Sequence, residues 1–97
     1  MKKYAMMLMG NYDTKTDALE IQHGSLLTRF VTVRTLAEAK ALASALLQEG
    51  FGCIELCGAF GQDGARAIAE ATEHKLAVGY CVHDPDMDQA FNAFFGG

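Results

Sequence analysis

Residues 51–64 read FGCIELCGAFGQDG, and this segment decides the fold class of the chain. The apolar run from Phe51 to Cys57 predicts a buried strand, and the glycines after it predict a tight turn. From Gln62 onward the apolar residues recur with a helical period, which predicts a helix. A strand, a turn and a helix in this order form the repeating unit of an α/β protein.

The same order of strand and helix is predicted before this segment. Residues 4–9 form a continuous apolar run, which is typical of a strand covered on both faces. Residues 26–33 are rich in β-branched and aromatic side chains and predict a second strand. Residues 35–38 (TLAE) form a capping box that begins a helix, and Gly50 suits the C-terminal end of that helix.

A fourth strand is predicted at residues 76–82, followed by a helix that begins at Asp84-Pro85. Residues 11–25 are polar and are interpreted as a loop with a short helix that ends near Gly24. The predicted fold class is therefore α/β, a small, mostly parallel four-stranded sheet with roughly a (βα)4 repeat and helices over both faces. A ferredoxin-like α+β fold is the alternative, and its hairpin would have to lie in residues 10–25.

Composition and charge limit the classes of function. The 97 residues are 51% hydrophobic and 21% charged, which predicts a single domain, residues 1–97. The net charge is −4 without any basic stretch, which argues against nucleic-acid binding, and no apolar run is long enough for a membrane span. Three cysteines in apolar runs favour reduced thiols in the cytosol. Their spacing matches no zinc motif, and neither a metal site nor a cofactor is predicted.

A ligand site is predicted outside the carboxyl ends of the strands, where ligands of open parallel sheets bind. The glycines after the third strand let the backbone approach a ligand, and the helix that follows offers free N–H groups to an anion. The alternative is a turn that needs glycine only for a positive φ. The segment matches neither the dinucleotide fingerprint nor the phosphate-binding loop. The predicted ligand-binding residues are Asn11, Arg29, Gly58, Phe60, Gly61 and Gly64.

Glu55, Cys57 and His83 are the candidate catalytic residues. Glu55 lies in the middle of an apolar strand and is expected to be mostly buried, either protonated or paired with Arg29. Cys57 or Cys81 could form a thiolate–imidazolium pair with His83 near the end of the strands. The alternatives are a structural ion pair or a solvated edge for the acid, and buried structural thiols for the cysteines.

The segment Ile54-Glu55-Leu56-Cys57-Gly58-Ala59-Phe60-Gly61 resembles a signature of a group of small uncharacterised bacterial proteins classed as a domain of unknown function. In that group the pattern I-E-L-C-G-x-F-G is followed by a helix and a V-G-x strand, which corresponds here to Val78-Gly79. The resemblance covers about residues 30–82. It implies the same order of elements, and it implies no established activity.

Two classes of function follow from these observations. The first is binding of a small polar or anionic metabolite at the C-terminal ends of the strands, with Glu55 orienting or deprotonating the ligand. The second is a non-catalytic oligomeric assembly or regulatory module without a ligand. The sequence indicates no reaction, so it leaves open whether the protein is an enzyme. A homo-oligomer, most simply a dimer, is predicted because few helices cover the strands and because Phe91, Phe94 and Phe95 add apolar surface.

Overall fold

A computed structural model describes residues 1–96 as a five-stranded sheet with three α-helices. The elements are β1 (Lys2–Met9), β2 (Leu19–His23), β3 (Leu26–Val33), α1 (Leu36–Gln48), β4 (Cys53–Leu56), α2 (Gly61–Ala71), β5 (Ala77–Tyr80), a 3₁₀ turn (Pro85–Met87) and α3 (Asp88–Phe95). The strands lie in the order β2-β3-β1-β4-β5, and β2 runs antiparallel to β3 whereas the other neighbours are parallel. An α/β fold is confirmed, but the four-stranded (βα)4 layout is wrong.

The strand β2 replaces the short helix that was predicted within residues 11–25. Leu19, Ile21 and His23 alternate with two polar residues, so one side of β2 is more apolar than the other. Gly24, with φ 58°, begins the two-residue connection to β3, where a glycine favours a tight hairpin turn. The ferredoxin-like alternative is wrong as well, because three strands precede α1 and the remaining pairings are parallel.

Helix α1 forms as its sequence predicts. The hydroxyl of Thr35 accepts a hydrogen bond from the Glu38 backbone N–H (3.1 Å), and the Glu38 carboxylate accepts one from the backbone N–H of Arg34 (2.8 Å). At the other end Gly50 has φ 96°, and the backbone N–H of Phe51 donates to the carbonyl of Leu46 (3.0 Å). These are the bonds of a capping box and of a glycine-terminated helix end.

The helices α1 and α2 pack against one face of the sheet, and the main core lies between them and that face. Ala5, Met7, Ile54 and Leu56 point into this core from β1 and β4 and are fully buried. The connection through α1 runs from β3 across β1 to β4, and α2 continues in the same direction to β5. Two right-handed crossovers in one direction place both helices on one face.

The opposite side of the sheet, here called the open face, carries no helix along it among residues 1–96. The connection from β1 to β3 runs in the other direction, so a right-handed helix there would cover this side, but that connection forms β2 instead. The prediction that helices cover both faces is therefore wrong. The register places on the open face Lys2, Tyr4, Met6, Leu8, Leu19, Ile21, His23, Leu26, Thr28, Phe30, Thr32, Cys53, Glu55, Ala77 and Gly79.

No α-helix within residues 1–96 is both long and apolar enough to cross a bilayer.

Candidate functional site

A cavity of about 730 Å³ lies at the C-terminal ends of the parallel strands and is here called the rim cavity. The loop after β1 runs toward the open face, where the backbone carbonyl of Asp17 accepts a hydrogen bond from the hydroxyl of Thr32 (2.7 Å). The chain after β4 turns the other way, into α2 on the helical face. The two connections diverge between neighbouring strands and leave a crevice, which is where ligands bind in open α/β sheets.

Most of the lining of the rim cavity is apolar or aromatic. Three of the lining residues lie at strand ends: Met9 ends β1, Cys57 follows β4 and Tyr80 ends β5. Phe91 and Phe95 of α3 line the cavity from the far side. The polar groups that reach it come from a few residues, among them His83, Gln62 and Asn92. An apolar cavity with a small number of polar groups is typical of a small-molecule site.

The glycine-rich turn after β4 forms one wall of the rim cavity, and two of the predicted ligand-binding residues, Gly58 and Gly61, line it. Gly61 has φ 63°, so the turn does require a residue that tolerates the left-handed region. Phe60 is buried and packs against Gly64, where a Cβ atom would lie 3.1 Å from that of Phe60. These two residues therefore shape the turn from within, whereas Gly58 and Gly61 face the cavity.

The first turn of α2 leaves backbone donors without protein partners. Its first backbone bond runs from the N–H of Gly64 to the carbonyl of Phe60 (3.2 Å), and no side chain caps the helix. Within residues 1–96 the N–H groups of Gly61, Gln62 and Asp63 have no acceptor. Such groups give a helix N-terminus a partial positive charge.

Gly61→Ala is expected to lower the free energy of unfolding by about 1–2 kcal/mol, because a Cβ atom disfavours the left-handed backbone. Gly52→Ala is the matched control, since it precedes β4, has no positive φ and has no atom within 4 Å of an added Cβ. Urea unfolding of both variants measures the difference. Equal midpoints for the two variants would show that the turn does not hold Gly61 in this conformation.

Cys57 and His83 both line the rim cavity, but they do not pair with each other. The sulfur of Cys57 accepts a hydrogen bond from the backbone N–H of Met9 (3.4 Å). The Nε2 atom of His83 lies 2.8 Å from a carboxylate oxygen of Asp88, and its ring stacks on Phe91 with centroids 3.8 Å apart. Within residues 1–96 neither Cys57 nor Cys81 is hydrogen-bonded to His83, so the predicted thiolate–imidazolium pair is not formed, and the imidazole contacts the carboxylate at the start of α3 instead.

Glu55 lies outside the rim cavity, on the open face, and is exposed. Its carboxylate accepts a hydrogen bond from the Tyr4 hydroxyl (2.8 Å) and lies beside Gly79 on the neighbouring strand, 3.7 Å from where a Cβ atom would stand. The predictions that Glu55 is buried and that it pairs with Arg29 are both wrong, because no helix covers this face. Burial, together with the nearby Glu55 charge, raises the pKa of the Cys53 thiol.

Arg29 lies on the helical face instead, near the end of α1. Its guanidinium binds the carboxylate of Glu20 (2.7 Å) on β2 and that of Glu49 (2.9 Å) after α1. It also lies over the ring of Phe51, 4.7 Å from the centroid. The guanidinium thus ties the edge strand β2 to the end of α1, and it does not line the rim cavity.

Ionisation of Tyr4 makes the stability of the folded chain depend on pH. Burial, followed by the hydrogen bond to Glu55, raises the pKa of the Tyr4 phenol from 10.0 to about 12. Because the folded chain holds this proton more tightly, the stabilisation is complete below pH 10 and is lost as the pH rises toward 12. Ultraviolet titration is expected to show one tyrosinate with a midpoint near 12 that is absent from Tyr4→Phe. Loss of a midpoint near 10 in that variant would contradict the contact.

A second depression, of about 580 Å³, adjoins the rim cavity and is here called the cationic recess. Tyr12 lines both. Arg34 lies in the recess after β3 and donates a hydrogen bond to the side-chain oxygen of Asn11 (3.3 Å), and Lys15 lies beside them. Asn11 is therefore the only predicted ligand-binding residue that lines this recess.

Several residues of the site carry no signal in the sequence that would have singled them out. Asp88 is one of three acids at residues 84–88, and only the fold brings it to His83. Phe91 was predicted only to add apolar surface, and its side chain lines the rim cavity. Within residues 1–96 no group of three or more potential metal ligands lies together, and all three cysteines are free.

Comparison with known proteins gives a family but no activity. Neither the curated proteins nor the solved structures contain a significant match to the chain. One family matches almost the whole chain, over residues 2–96, in agreement with the resemblance found in its central segment. The chain belongs to this family, which is described as a family of unknown function (DUF6506).

Proposed function

We propose that the chain binds a small amphipathic anion in the rim cavity. The observation that carries this proposal is the cavity itself, about 730 Å³ in volume and lined mainly by apolar side chains at the ends of the strands. Cavities that hold small ligands usually measure about 300–1,000 Å³ and have such walls. The apolar part of the ligand would contact Cys57, Tyr80 and Phe91.

Two sources of positive potential favour a negatively charged group on the ligand. The unpaired N–H groups at the start of α2 belong to residues that line the rim cavity, Gly61 and Gln62. Arg34 and Lys15 line the adjoining recess together with Asp13, which leaves it one formal positive charge within a chain whose net charge is −4. A carboxylate or phosphate group is therefore the kind of anion that this end of the sheet suits.

Binding is the role proposed for the two reactive side chains of the rim cavity. Cys57 and His83 would contact the ligand, and Asp88 would hold the imidazole in place. Glu55 is left out of the site, since its carboxylate lies on the open face. The cytosol is the proposed location, because free thiols persist in a reducing compartment.

A thermal-shift experiment with four probes tests the proposal: phenyl phosphate, benzoate, inorganic phosphate and acetate. A ligand at 100 times its dissociation constant stabilises the folded state by about 2.7 kcal/mol. For a domain of this size that corresponds to a rise in melting temperature of about 10–20 °C. Phenyl phosphate and benzoate should raise the melting temperature more than inorganic phosphate and acetate, which have no aromatic ring. Equal shifts for all four, or none at millimolar concentration, would contradict an amphipathic site.

A second candidate function is self-association without a ligand. The observation that favours it is exposed apolar surface, on α3 at Phe94 (80% exposed) and Phe95 (75%), and on the edge strand at Leu19 and Ile21 (54% each). Exposed apolar patches mark contact sites. Light scattering at micromolar concentration tests it, and a mass of 10.5 kDa, that of one chain, would contradict it.

A further inference from the structure

The open face is an unusual surface for a sheet that meets water. A sheet that packs on the core with one face normally carries polar residues on the face that meets water. Here β1 places Tyr4, Met6 and Leu8 on that side, and β2 and β3 add Leu19 and Phe30 among others. The central side chains are only half-buried, and those at the margin are exposed, Leu19 and Ile21 at 54% and Leu26 at 46%.

The charges on the open face suit contact with an identical face. Lys2 and Glu55 are its only full charges among residues 1–96, one of each sign, although the whole chain carries −4. Two such faces therefore meet without bringing net like charge together. The Glu55 carboxylate already accepts a hydrogen bond from Tyr4 within its own chain.

The area of the open face is sufficient for a dimer. Five strands at a spacing of about 4.8 Å, with β1 and β3 eight residues long at about 3.3 Å per residue, form a face of about 20 by 25 Å. Because β2, β4 and β5 have only five, four and four residues, this is an upper limit, and two copies would bury about 1,000 Å², the smallest area expected of a specific interface. Face-to-face packing of two sheets at about 10 Å is a common arrangement.

The aromatic residues of α3 are the competing contact surface, with Phe94 80% and Phe95 75% exposed, and they pack mainly against one another. The ring of Phe95 packs edge-on against Phe94 (centroids 4.8 Å apart) and lies 6.1 Å from Phe91, which stacks on His83. The apolar residues of the open face extend over three adjacent strands, so they form the broader surface.

We propose that a second copy of this chain docks on the open face, so that two sheets pack face to face between two outer layers of helices. This inference rests on the self-association proposed above as the second candidate function, and it names the surface that mediates it. Closed two-fold symmetry makes the same face serve both copies. Leu8 belongs both to this face and to the lining of the rim cavity, so the two surfaces adjoin.

Neighbouring residues on β2 provide a matched pair of variants. Ile21 lies on the open face, whereas Gln22 lies on the helical face, and both are exposed. Ile21→Asp is expected to raise the dissociation constant of the dimer by at least about 100-fold, because a carboxylate would be buried in an apolar contact. Gln22→Asp should leave it unchanged. Leu19→Arg tests the same surface with a charge of the opposite sign, and circular dichroism verifies that each variant is folded.

Light scattering at micromolar concentration distinguishes the outcomes. The expected result is a mass near twice 10.5 kDa for the unmodified chain, Gln22→Asp and Phe95→Asp, and a mass near 10.5 kDa for Ile21→Asp and Leu19→Arg. A dimer that survives both open-face variants overturns the proposed surface while self-association stands. A dimer that only Phe95→Asp dissociates assigns the contact to α3. A single-chain mass for the unmodified protein overturns both the surface and self-association.

Discussion

Phe51→Ala is expected to lower the free energy of unfolding by about 3–5 kcal/mol, the usual range for removing a buried phenylalanine side chain. Phe51 is 1% exposed and lies at the end of the core where α1 leads into β4. The guanidinium of Arg29 lies 4.7 Å from its ring centroid and the Lys3 ammonium 5.8 Å, so the ring also supports two cations. Domains of this kind have a total stability of about 5–15 kcal/mol, so the loss would be a large part of it.

Phe94→Ala is the control, because the same side chain is removed from a position that is 80% exposed. Its effect should stay within about 0.5 kcal/mol. Urea denaturation of both variants at one protein concentration measures the two changes. Similar midpoints for both variants would contradict the position of Phe51 in the core.

Gly58→Phe is expected to weaken binding of phenyl phosphate by about 100-fold, which is about 2.8 kcal/mol. Gly58 lines the rim cavity just after β4, and it has neither a positive φ nor any atom closer than 3.7 Å to an added Cβ. The backbone therefore accepts a side chain, and a phenylalanine there would occupy space that the ligand needs.

Gly52→Phe is the control for this substitution. Gly52 precedes the same strand at its opposite end, where an added Cβ meets no atom within 4 Å. Isothermal titration calorimetry should give the affinity of the unmodified chain for this variant and a much lower affinity for Gly58→Phe. Equal losses in both variants would indicate a general effect on the fold, and no loss in either would place the ligand elsewhere.

The fold was predictable where local chemistry determines an element. Helix α1 has a capping box at Thr35 and a glycine at its end, and both make the expected hydrogen bonds. The strand β4, the turn and α2 also form in the predicted order, because Gly61 marks a position that needs positive φ. In each of these the residues that specify the structure are neighbours in the sequence.

The fold was not predictable where pairing between distant segments determines it. The segment that forms β2 has only five residues, and its alternation of apolar and polar side chains leads to a strand because β3 offers a free edge beside it. That strand replaced a crossover helix and left one side of the sheet open. The wrong predictions that Glu55 is buried and that it pairs with Arg29 follow from this single difference. On the open face the carboxylate stays exposed, so it requires no arginine partner.

One part of the candidate site was predictable from a general rule for parallel sheets, and another part was not. The rule that ligands bind at the carboxyl ends of parallel strands led to Gly58 and Gly61, both of which line the rim cavity. The contact between His83 and Asp88 depends on how α3 folds back, and the meeting of Arg34 with Asn11 depends on the order of the strands. Neither contact has a local pattern from which it could be inferred.

The most direct test of the rim cavity as a ligand site is a map of backbone amide chemical shifts during titration with phenyl phosphate. We expect the largest changes at residues 58–63, where the turn enters α2, and at residues 80–83 after β5, with β2 unchanged. Saturating changes confined to these two segments would support the site. Changes that centre on β2 and β3, or none up to millimolar concentration of the probe, would contradict it.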